Sequence, residues 1–129
     1  MTLKDNFYHI KQMHRTDVGV KFLVHFNVEH FIYAAHFPGN PITPGVCIVQ
    51  IVKELTEELT QTPLFLKTVK NIKFVQAINP LTHPEVTFAL SMPISDNPMS
   101  DNYRVSASVE SGEVVFAKMS LIFSLLIHN

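Results

Sequence analysis

Residues 36–50 read HFPGNPITPGVCIVQ, a loop of prolines and glycines that leads directly into an apolar segment. Thr43 is suited to cap a helix and Pro44 to begin one. A residue before proline is pushed toward the extended conformation of an N-cap, and proline at the first helical position gives up no bonded N–H. We therefore predict a helix from Pro44 to about Gln61. Its first half is apolar nearly all round and residues 53–61 have a polar face, so the helix should begin in the core and end in water.

Segments in which apolar and polar residues alternate lie on both sides of this helix and predict strands. Two of them precede the helix, at residues 6–14 and 18–26, and are predicted to pair as a hairpin around Thr16-Asp17. Four more strands are predicted after the helix, at about residues 68–78, 84–92, 102–110 and 113–127.

The connections between these segments are less regular. Residues 27–35 have a mixed pattern that fits no single element, and residues 93–102 are polar and turn-rich, typical of a flexible loop. Ser111-Gly112 is predicted to be a tight connection between the last two strands. One mostly apolar helix and an antiparallel sheet long enough to curve around it together predict an α+β fold, with the sheet wrapped over the helix.

Length and composition limit the possible functions. With 129 residues, the chain is the size of one ordinary domain, and we expect residues 1–129 to form a single domain. Its formal charge of −1 gives no global basic field, so neither nucleic acid nor a membrane is an expected partner. A single cysteine and the lack of an apolar leader predict a reducing, cytoplasmic compartment. Because no histidines have metal-ligand spacing, we expect no metal and no cofactor.

The loop and the start of the helix carry groups suited to one kind of chemistry. The first N–H groups of a helix lack intrahelical acceptors and carry partial positive charge, and Gly45 has no side chain to keep a ligand from them. If His36 is held across from the helix start, a bound acyl group would meet a base and backbone amides that stabilise an enolate. That pairing is typical of proton abstraction next to a carbonyl. Prolines at 38, 41 and 44 would stiffen the loop that holds His36.

Each of these residues also has a purely structural interpretation. A histidine beside a Pro/Gly loop is most often structural, and Gly45 could simply pack close to a strand. Gln50 lies at helical spacing from Lys53, Glu54 and Glu57 and could be the inner end of the polar face. We expect Cys47 to be a small core residue rather than a nucleophile, because nothing in the sequence places a base beside it.

The same stretch resembles the signature of the 3-hydroxyacyl-(acyl-carrier-protein) dehydratases of fatty acid synthesis. That signature is His-Phe-Pro-Gly, a short spacer, Pro-Gly-Val at the start of a central helix, and then a carboxylate. The matching residues here are His36, Phe37, Pro38, Gly39, Pro41, Pro44, Gly45 and Val46. NIKFVQAINPLTHPEVTF (71–88) and SGEVVFAKMSLIF (111–123) resemble later strands of the family, although the turn NPLTHP lacks the family's frequent Gly-Asp. The resemblance implies the hot dog fold, a curved antiparallel sheet wrapped around one central helix.

The resemblance also implies roles for individual residues. His36 would be the catalytic residue that removes a proton from C2 of an acyl thioester, and the N–H of Gly45 would bind the thioester carbonyl. Phe37, Pro44 and Val46 would line the substrate site. In the family a histidine of one subunit and a helix carboxylate of the other face each other across an acyl tunnel, so the resemblance implies an obligate dimer.

Gln50 departs from this pattern, because it stands 14 residues after His36, where the family has Glu or Asp. An amide cannot donate a proton as a carboxylic acid does, but it can hydrogen-bond the leaving hydroxyl or hold a water. We therefore predict Gln50 as an orienting catalytic residue. Glu54, one helical turn further on, is the nearby carboxylate that could substitute.

By this resemblance the chain is a (3R)-hydroxyacyl-(acyl-carrier-protein) dehydratase, a hydro-lyase that forms the trans-2-enoyl thioester in fatty acid or polyketide/polyene-type biosynthesis. Its partners would be an acidic acyl carrier protein and a second copy of the chain, in a homodimer or an assembly of dimers. Lys67, Lys70 and Lys73 are candidates for a basic patch that meets the carrier, although strand alternation divides them between two faces and a solvated edge is the structural alternative. The alternative is a catalytically impaired acyl-binding subunit that works as a heterodimer with an active paralogue. A thioesterase on the same fold is disfavoured, because those enzymes generally lack the His-Phe-Pro-Gly loop.

Overall fold

The computed structural model describes residues 1–95 and 101–126. In this part of the chain the helices are α1 (Phe31–Ala35) and α2 (Gly45–Thr60). The strands are β1 (Tyr8–Arg15), β2 (Gly19–Phe26), β3 (Leu64–Phe74), β4 (Glu85–Ser91), β5 (Ile94–Ser95), β6 (Asn102–Ser111) and β7 (Val114–Leu125). No helix in these ranges is both long and apolar enough to cross a bilayer.

All strand pairs of the sheet are antiparallel, in the order β1-β2-β4-β6-β7-β3, with β5 beside β6. The predicted first hairpin is confirmed, with Tyr8 opposite Phe26 at one end and Arg15 opposite Val20 at the other. The predicted connection between the last two strands is also confirmed. Gly112 has a φ of 58°, the left-handed conformation that glycine adopts without a steric penalty.

Helix α2 lies against the sheet and supplies one side of the core. Ile51, Val52 and Leu55 are fully buried in a cluster that includes Phe22 on β2 and Phe88 on β4. Alternation places the apolar residues of β4 on the helix side, as the buried Val86, Phe88 and Leu90 show. The predicted α+β arrangement of one sheet around one helix is therefore confirmed.

The start of α2 differs in detail from the prediction. The N-cap is Pro44 rather than Thr43, in an extended conformation with φ −63° and ψ 142° and with no side-chain capping bond. The Thr43 hydroxyl is instead paired with the Tyr33 hydroxyl at 2.9 Å, within the core. The first turn is also less buried than its sequence predicts, since Val46 is 70% exposed.

The segments that the sequence left open form short elements. Residues 27–35 contain α1, in which the Nδ1 of His30 accepts a hydrogen bond from the N–H of Ile32 and so caps the helix. The predicted flexible loop at 93–102 begins with the two-residue strand β5, and its residues 96–100 lie outside the described part of the chain.

Candidate functional site

His36 is held at the end of α1 by its backbone and by its ring. Its N–H donates to the carbonyl of Ile32 at 2.9 Å, and its carbonyl accepts from the N–H of Ile42 at 2.9 Å. The imidazole Nδ1 is 3.3 Å from the carbonyl oxygen of Ile42. The side chain is therefore tied to a chain segment that ends two residues before the N-cap of α2.

The bond to Ile42 decides which ring nitrogen of His36 can act as a base. A carbonyl oxygen only accepts, so Nδ1 carries the hydrogen and Nε2 of the neutral ring is left as the acceptor. The ring stacks on Phe37 with 4.1 Å between centroids and 27° between planes, and the peptide bond between the two residues is cis. His36 as a residue is half-buried.

The start of α2 lies next to this histidine in the chain and is anchored independently. The N–H of Thr43 donates to the carbonyl of Ile78 at 2.9 Å, which fixes the residue that leads into the helix. The Pro44 carbonyl accepts the N–H of Cys47, so the first intrahelical bond reaches only the third residue of the helix. The N–H groups of Gly45 and Val46 therefore lie in the turn where a helix leaves its amide donors without intrahelical acceptors.

Gly45 packs closely against β3. A Cβ atom at this position would lie 2.8 Å from Cζ of Phe74, whose ring is half-exposed at the end of the strand. The close packing on a strand that the structural interpretation predicts is therefore present at the Cα of Gly45. Its N–H points along the helix axis like the other amides of the first turn, so packing and carbonyl binding use different sides of the residue.

Gln50 makes two hydrogen bonds through one atom. Its Nε2 donates to Glu54 Oε2 at 2.8 Å and to the carbonyl oxygen of Met1 at 2.8 Å. Both partners are acceptors, so the orientation of the amide is fixed by chemistry. Among the described residues of this one chain, no hydrogen bond or ring contact joins Gln50 to His36, the other predicted catalytic residue.

Glu54 lies in α2 one turn beyond Gln50 and is buried, with only 7% of its surface exposed. Besides the amide of Gln50, it accepts hydrogen bonds from the N–H of Leu3 and of Lys4, both at 2.8 Å, and from the Tyr8 hydroxyl at 3.0 Å. Burial, with the nearby negative charge of Glu54, raises the pKa of Tyr8 and keeps its hydroxyl a donor. Four donors occupy the two oxygens of Glu54, which leaves it poorly placed to serve as a substitute acid.

The sequence could not reveal these contacts of Glu54. Its donors on the N-terminal segment lie about 50 residues away in the chain, so helical periodicity places Glu54 on the polar face beside Lys53 and Glu57. One signal was available: a glutamine and a glutamate four residues apart on a helix can hydrogen-bond to each other. The Ile42 carbonyl that orients His36 is a backbone group and has no signature in the sequence.

Cys47 lies in the core, as predicted, with 3% of its surface exposed. Burial raises the pKa of its thiol, so little of the reactive thiolate forms near neutral pH. We predict that the native protein reacts with a thiol reagent such as Ellman's reagent at least about tenfold more slowly than the denaturant-unfolded protein. Equal rates in the two states, measured by absorbance, would contradict the burial of this side chain.

The remaining predicted site residues lie at the surface around the start of α2. Phe37 is 49% exposed and Val46 is 70% exposed, so both present apolar area beside His36 and Gly45. A separate groove of about 580 Å³ crosses the sheet and is lined by small residues of β4 and β6 between Lys21 and Lys118. That groove contains none of the predicted site residues. In the described ranges no three His, Cys, Asp or Glu side chains are arranged to hold a metal ion.

The chain is similar in sequence to known dehydratases. The chain is similar to the 3-hydroxyacyl-(acyl-carrier-protein) dehydratase FabZ of Wolbachia sp. subsp. Drosophila simulans, with 33% identity over 64 residues. That match covers 44% of this chain and 43% of the relative, so the chain spans less than half the length of this curated protein. FabZ of Lactiplantibacillus plantarum is 30% identical over 92 residues, which cover 62% of this chain and 63% of that protein.

A solved structure and a family model extend the likeness to most of the chain. The dehydratase heterocomplex ApeI:P from Xenorhabdus doucetiae matches with a TM-score of 0.62 and 13% identity, over 89% of this chain and 96% of that one. This likeness confirms the predicted hot dog fold. A family model described as ApeI-like, ApeI dehydratase, matches residues 11–113. Because that match extends over most of the sequence, the chain belongs to the ApeI-like dehydratase family.

Proposed function

We propose that the protein is a dehydratase that eliminates water from a (3R)-hydroxyacyl thioester to give the trans-2-enoyl thioester, in fatty acid or polyketide/polyene-type biosynthesis. The observation that carries this proposal is the bond between His36 Nδ1 and the carbonyl of Ile42, in the segment that leads into α2, which leaves Nε2 of the ring as the base. A base next to unbonded helix amides suits the removal of a proton adjacent to a thioester carbonyl.

The proposed reaction balances without a second titratable residue. Nε2 of His36 takes the C2 proton while the N–H groups of Gly45 and Val46 stabilise the negative charge on the thioester oxygen. The electron pair then forms the C2–C3 double bond and the C3–O bond breaks. Because the amide of Gln50 has no proton to give, the imidazolium of His36 returns the abstracted proton to the departing hydroxyl, which leaves as water.

The apolar surface near His36 supports a substrate with a hydrocarbon chain. Phe37 and Val46 expose apolar area on two sides of the helix start, and Pro44 lies between them in the chain. An acyl chain bound there would remove this surface from water, which is worth about 25 cal/mol for each Å². We therefore assign substrate binding to Phe37, Pro44, Gly45 and Val46.

We propose an acyl carrier protein as the partner that delivers the substrate. Two FabZ relatives act, by their names, on substrates carried by such a protein. Lys67, Lys70 and Lys73 are all exposed on β3, the strand whose end packs against Gly45 through Phe74. Exposed lysines would steer an acidic carrier toward this side of the molecule.

We also propose a homodimer, or an assembly of dimers, formed through β3. Within residues 1–95 and 101–126 this strand ends the sheet and pairs with β7 alone, so in this part of the chain its other edge has unpaired backbone groups. It carries exposed apolar side chains, among them Phe65, Val69 and Phe74. An edge strand of 11 residues with such side chains is suited to pair with a second copy of itself.

The dimer proposal predicts that Val69→Asp weakens self-association, since a carboxylate buried in an interface without a partner is costly. We expect the dimer dissociation constant, measured by sedimentation, to rise by about tenfold or more. Val18→Asp is the matched control, because Val18 is 82% exposed in the turn before β2. Unchanged association in Val69→Asp, or an equal loss in the control, would contradict an interface at β3.

The proposed activity is tested by turnover with purified protein. We expect the chain, supplied with 3-hydroxyacyl thioesters of a carrier protein over a range of chain lengths, to form enoyl product that absorbs in the ultraviolet. Failure of the purified chain to turn over any chain length would contradict the proposal.

One observation favours a second candidate, a catalytically impaired acyl-binding subunit of a heterodimer. The amide of Gln50 is bound to Glu54 and Met1, so this chain offers no free carboxylate at the position where the dehydratases carry one. The similar Xenorhabdus structure is a heterocomplex by its description. Under this candidate the purified chain is inactive and gains turnover only when the paralogue is added.

A further inference from the structure

We propose that Glu54 is a positioning residue that sets Gln50 as a hydrogen-bond acceptor for the C3 hydroxyl of the substrate. This inference rests on the proposed function. It starts from the amide of Gln50, whose Nε2 is held at 2.8 Å by both Glu54 and the Met1 carbonyl. Both hydrogens of Nε2 are thereby used, and the amide cannot donate to a ligand.

The oxygen of Gln50 is the polar atom that remains for a ligand. Among residues 1–95 and 101–126 no donor is bound to Oε1, although the side chain is only partly exposed. A free amide could rotate and present either end to a hydroxyl. The two acceptors on Nε2 remove that choice, because a reversed amide would place Oε1 against a carboxylate and a carbonyl.

Glu54 can impose this orientation because it is itself immobilised. The Leu3 and Lys4 N–H groups and the Tyr8 hydroxyl hold its carboxylate from the N-terminal segment. The side chain of Lys4 also forms an ion pair with Glu58, one turn further along α2, but Glu54 is held by the Lys4 backbone N–H and not by this ion pair. Hydrogen bonds to an ionised group are stronger than those between neutral groups, so Glu54 orients the amide better than a neutral residue would.

This arrangement gives Gln50 a role that differs from that of a carboxylic acid. An acceptor recognises a substrate that carries a hydroxyl and orients that hydroxyl's hydrogen toward Oε1. In the proposed dimer, in which the histidine of one subunit faces this helix residue of the other, the lone pairs of the hydroxyl oxygen are then free to take the proton from that imidazolium. Gln50 and Glu54 therefore serve to recognise and orient the substrate, while His36 transfers the proton.

The test compares Glu54→Gln with Glu58→Gln, the same substitution one turn away on a residue that also holds the N-terminal segment. Binding is measured by calorimetry for 3-hydroxybutyryl-pantetheine and for butyryl-pantetheine, which lacks the hydroxyl. We expect the wild-type protein and Glu58→Gln to bind the hydroxylated thioester about tenfold more tightly, the worth of one hydrogen bond. Glu54→Gln should lose this preference. A preference that persists in Glu54→Gln, or that is absent from the wild-type protein, overturns the proposal.

A second measurement separates this inference from the proposed function. The side-chain amide of Gln50 gives a pair of proton–nitrogen resonances, identified by their absence in Gln50→Met. We expect these amide hydrogens to be protected from exchange in the wild-type protein and in Glu58→Gln. In Glu54→Gln they should exchange at least about tenfold faster. If neither thioester binds the wild-type protein, the proposed function fails, and with it the role of Oε1. The positioning by Glu54 is still supported or overturned by these resonances.

Discussion

Replacing His36 with asparagine should lower the rate of dehydration by about 10²- to 10⁴-fold, the range in which general base catalysis contributes. Asparagine can keep the hydrogen bond that Nδ1 makes to the Ile42 carbonyl, because its Nδ2 occupies a similar place. What it removes is Nε2, the atom to which the proposal assigns the C2 proton. The rate constant is measured from the absorbance of the enoyl product at saturating substrate.

His30→Asn is the matched control for this substitution. His30 caps α1 through a bond from the Ile32 N–H to its Nδ1, and asparagine is a favourable capping residue. We expect this variant to keep nearly all of the wild-type rate. A similar loss of activity in both variants, or a thermal transition of His36→Asn far below that of the wild-type protein, would mean that His36 acts through the loop structure instead.

Replacing Gln50 with glutamate should destabilise the protein at neutral pH by about 2–3 kcal/mol, even though the resemblance implies a carboxylate at this position. The substitution removes the donor that bonds to Glu54 at 2.8 Å and places a second carboxylate against a buried one. Two carboxylates in contact cannot both stay ionised without a large penalty, so the pair is expected to share a proton. The free energy of unfolding is measured with urea.

The stability of Gln50→Glu relative to the wild-type protein should fall as the pH rises. In the folded variant the shared proton raises the pKa of the carboxylate pair above that of an unfolded glutamate, which is about 4.3. Stability relative to the wild-type protein is therefore highest below that unfolded value and is lost as the pH rises through the raised folded pKa. A penalty that does not change between about pH 4 and pH 8 would contradict contact between residues 50 and 54.

The double variant Gln50→Glu with Glu54→Gln isolates this contact. Exchanging the two side chains restores one amide and one carboxylate at the same positions. We expect the double variant to be more stable at neutral pH than the sum of the single substitutions predicts, by about 1 kcal/mol or more. Strict additivity would show that the two side chains do not interact.

The parts of the fold that the sequence predicted are those fixed by local chemistry. Proline at position 44 sets the backbone angle at which α2 begins, and alternation marks β2 and β4 because one face of each is buried. The N-cap prediction was wrong by one residue, since the Thr43 hydroxyl bonds to Tyr33, which lies ten residues earlier in the chain and is not visible in the local pattern. The five-residue helix α1 is too short to produce a helical period.

The same distinction applies to the candidate site. His36 and Gly45 could be proposed from the sequence because their motif lies in one continuous stretch of 15 residues that also sets the geometry of the loop. The burial and hydrogen bonds of Glu54 were missed because its donors come from the N-terminal segment, and only the folded chain brings them to α2. Contacts at long sequence separation leave no periodic signal, so a buried carboxylate of this kind reads as part of a solvated helix face.

Isotope incorporation is the most direct test of whether Nε2 of His36 moves a proton at C2. A trans-2-enoyl thioester is incubated in heavy water with wild-type protein or with His36→Asn, and deuterium at C2 of the hydrated product is measured by mass spectrometry. Since hydration is the reverse of dehydration, the same residue must deliver the proton. We expect rapid incorporation with the wild-type protein and a rate that is lower by at least about 10²-fold with His36→Asn. Equal rates of incorporation with the two proteins would contradict this role of Nε2.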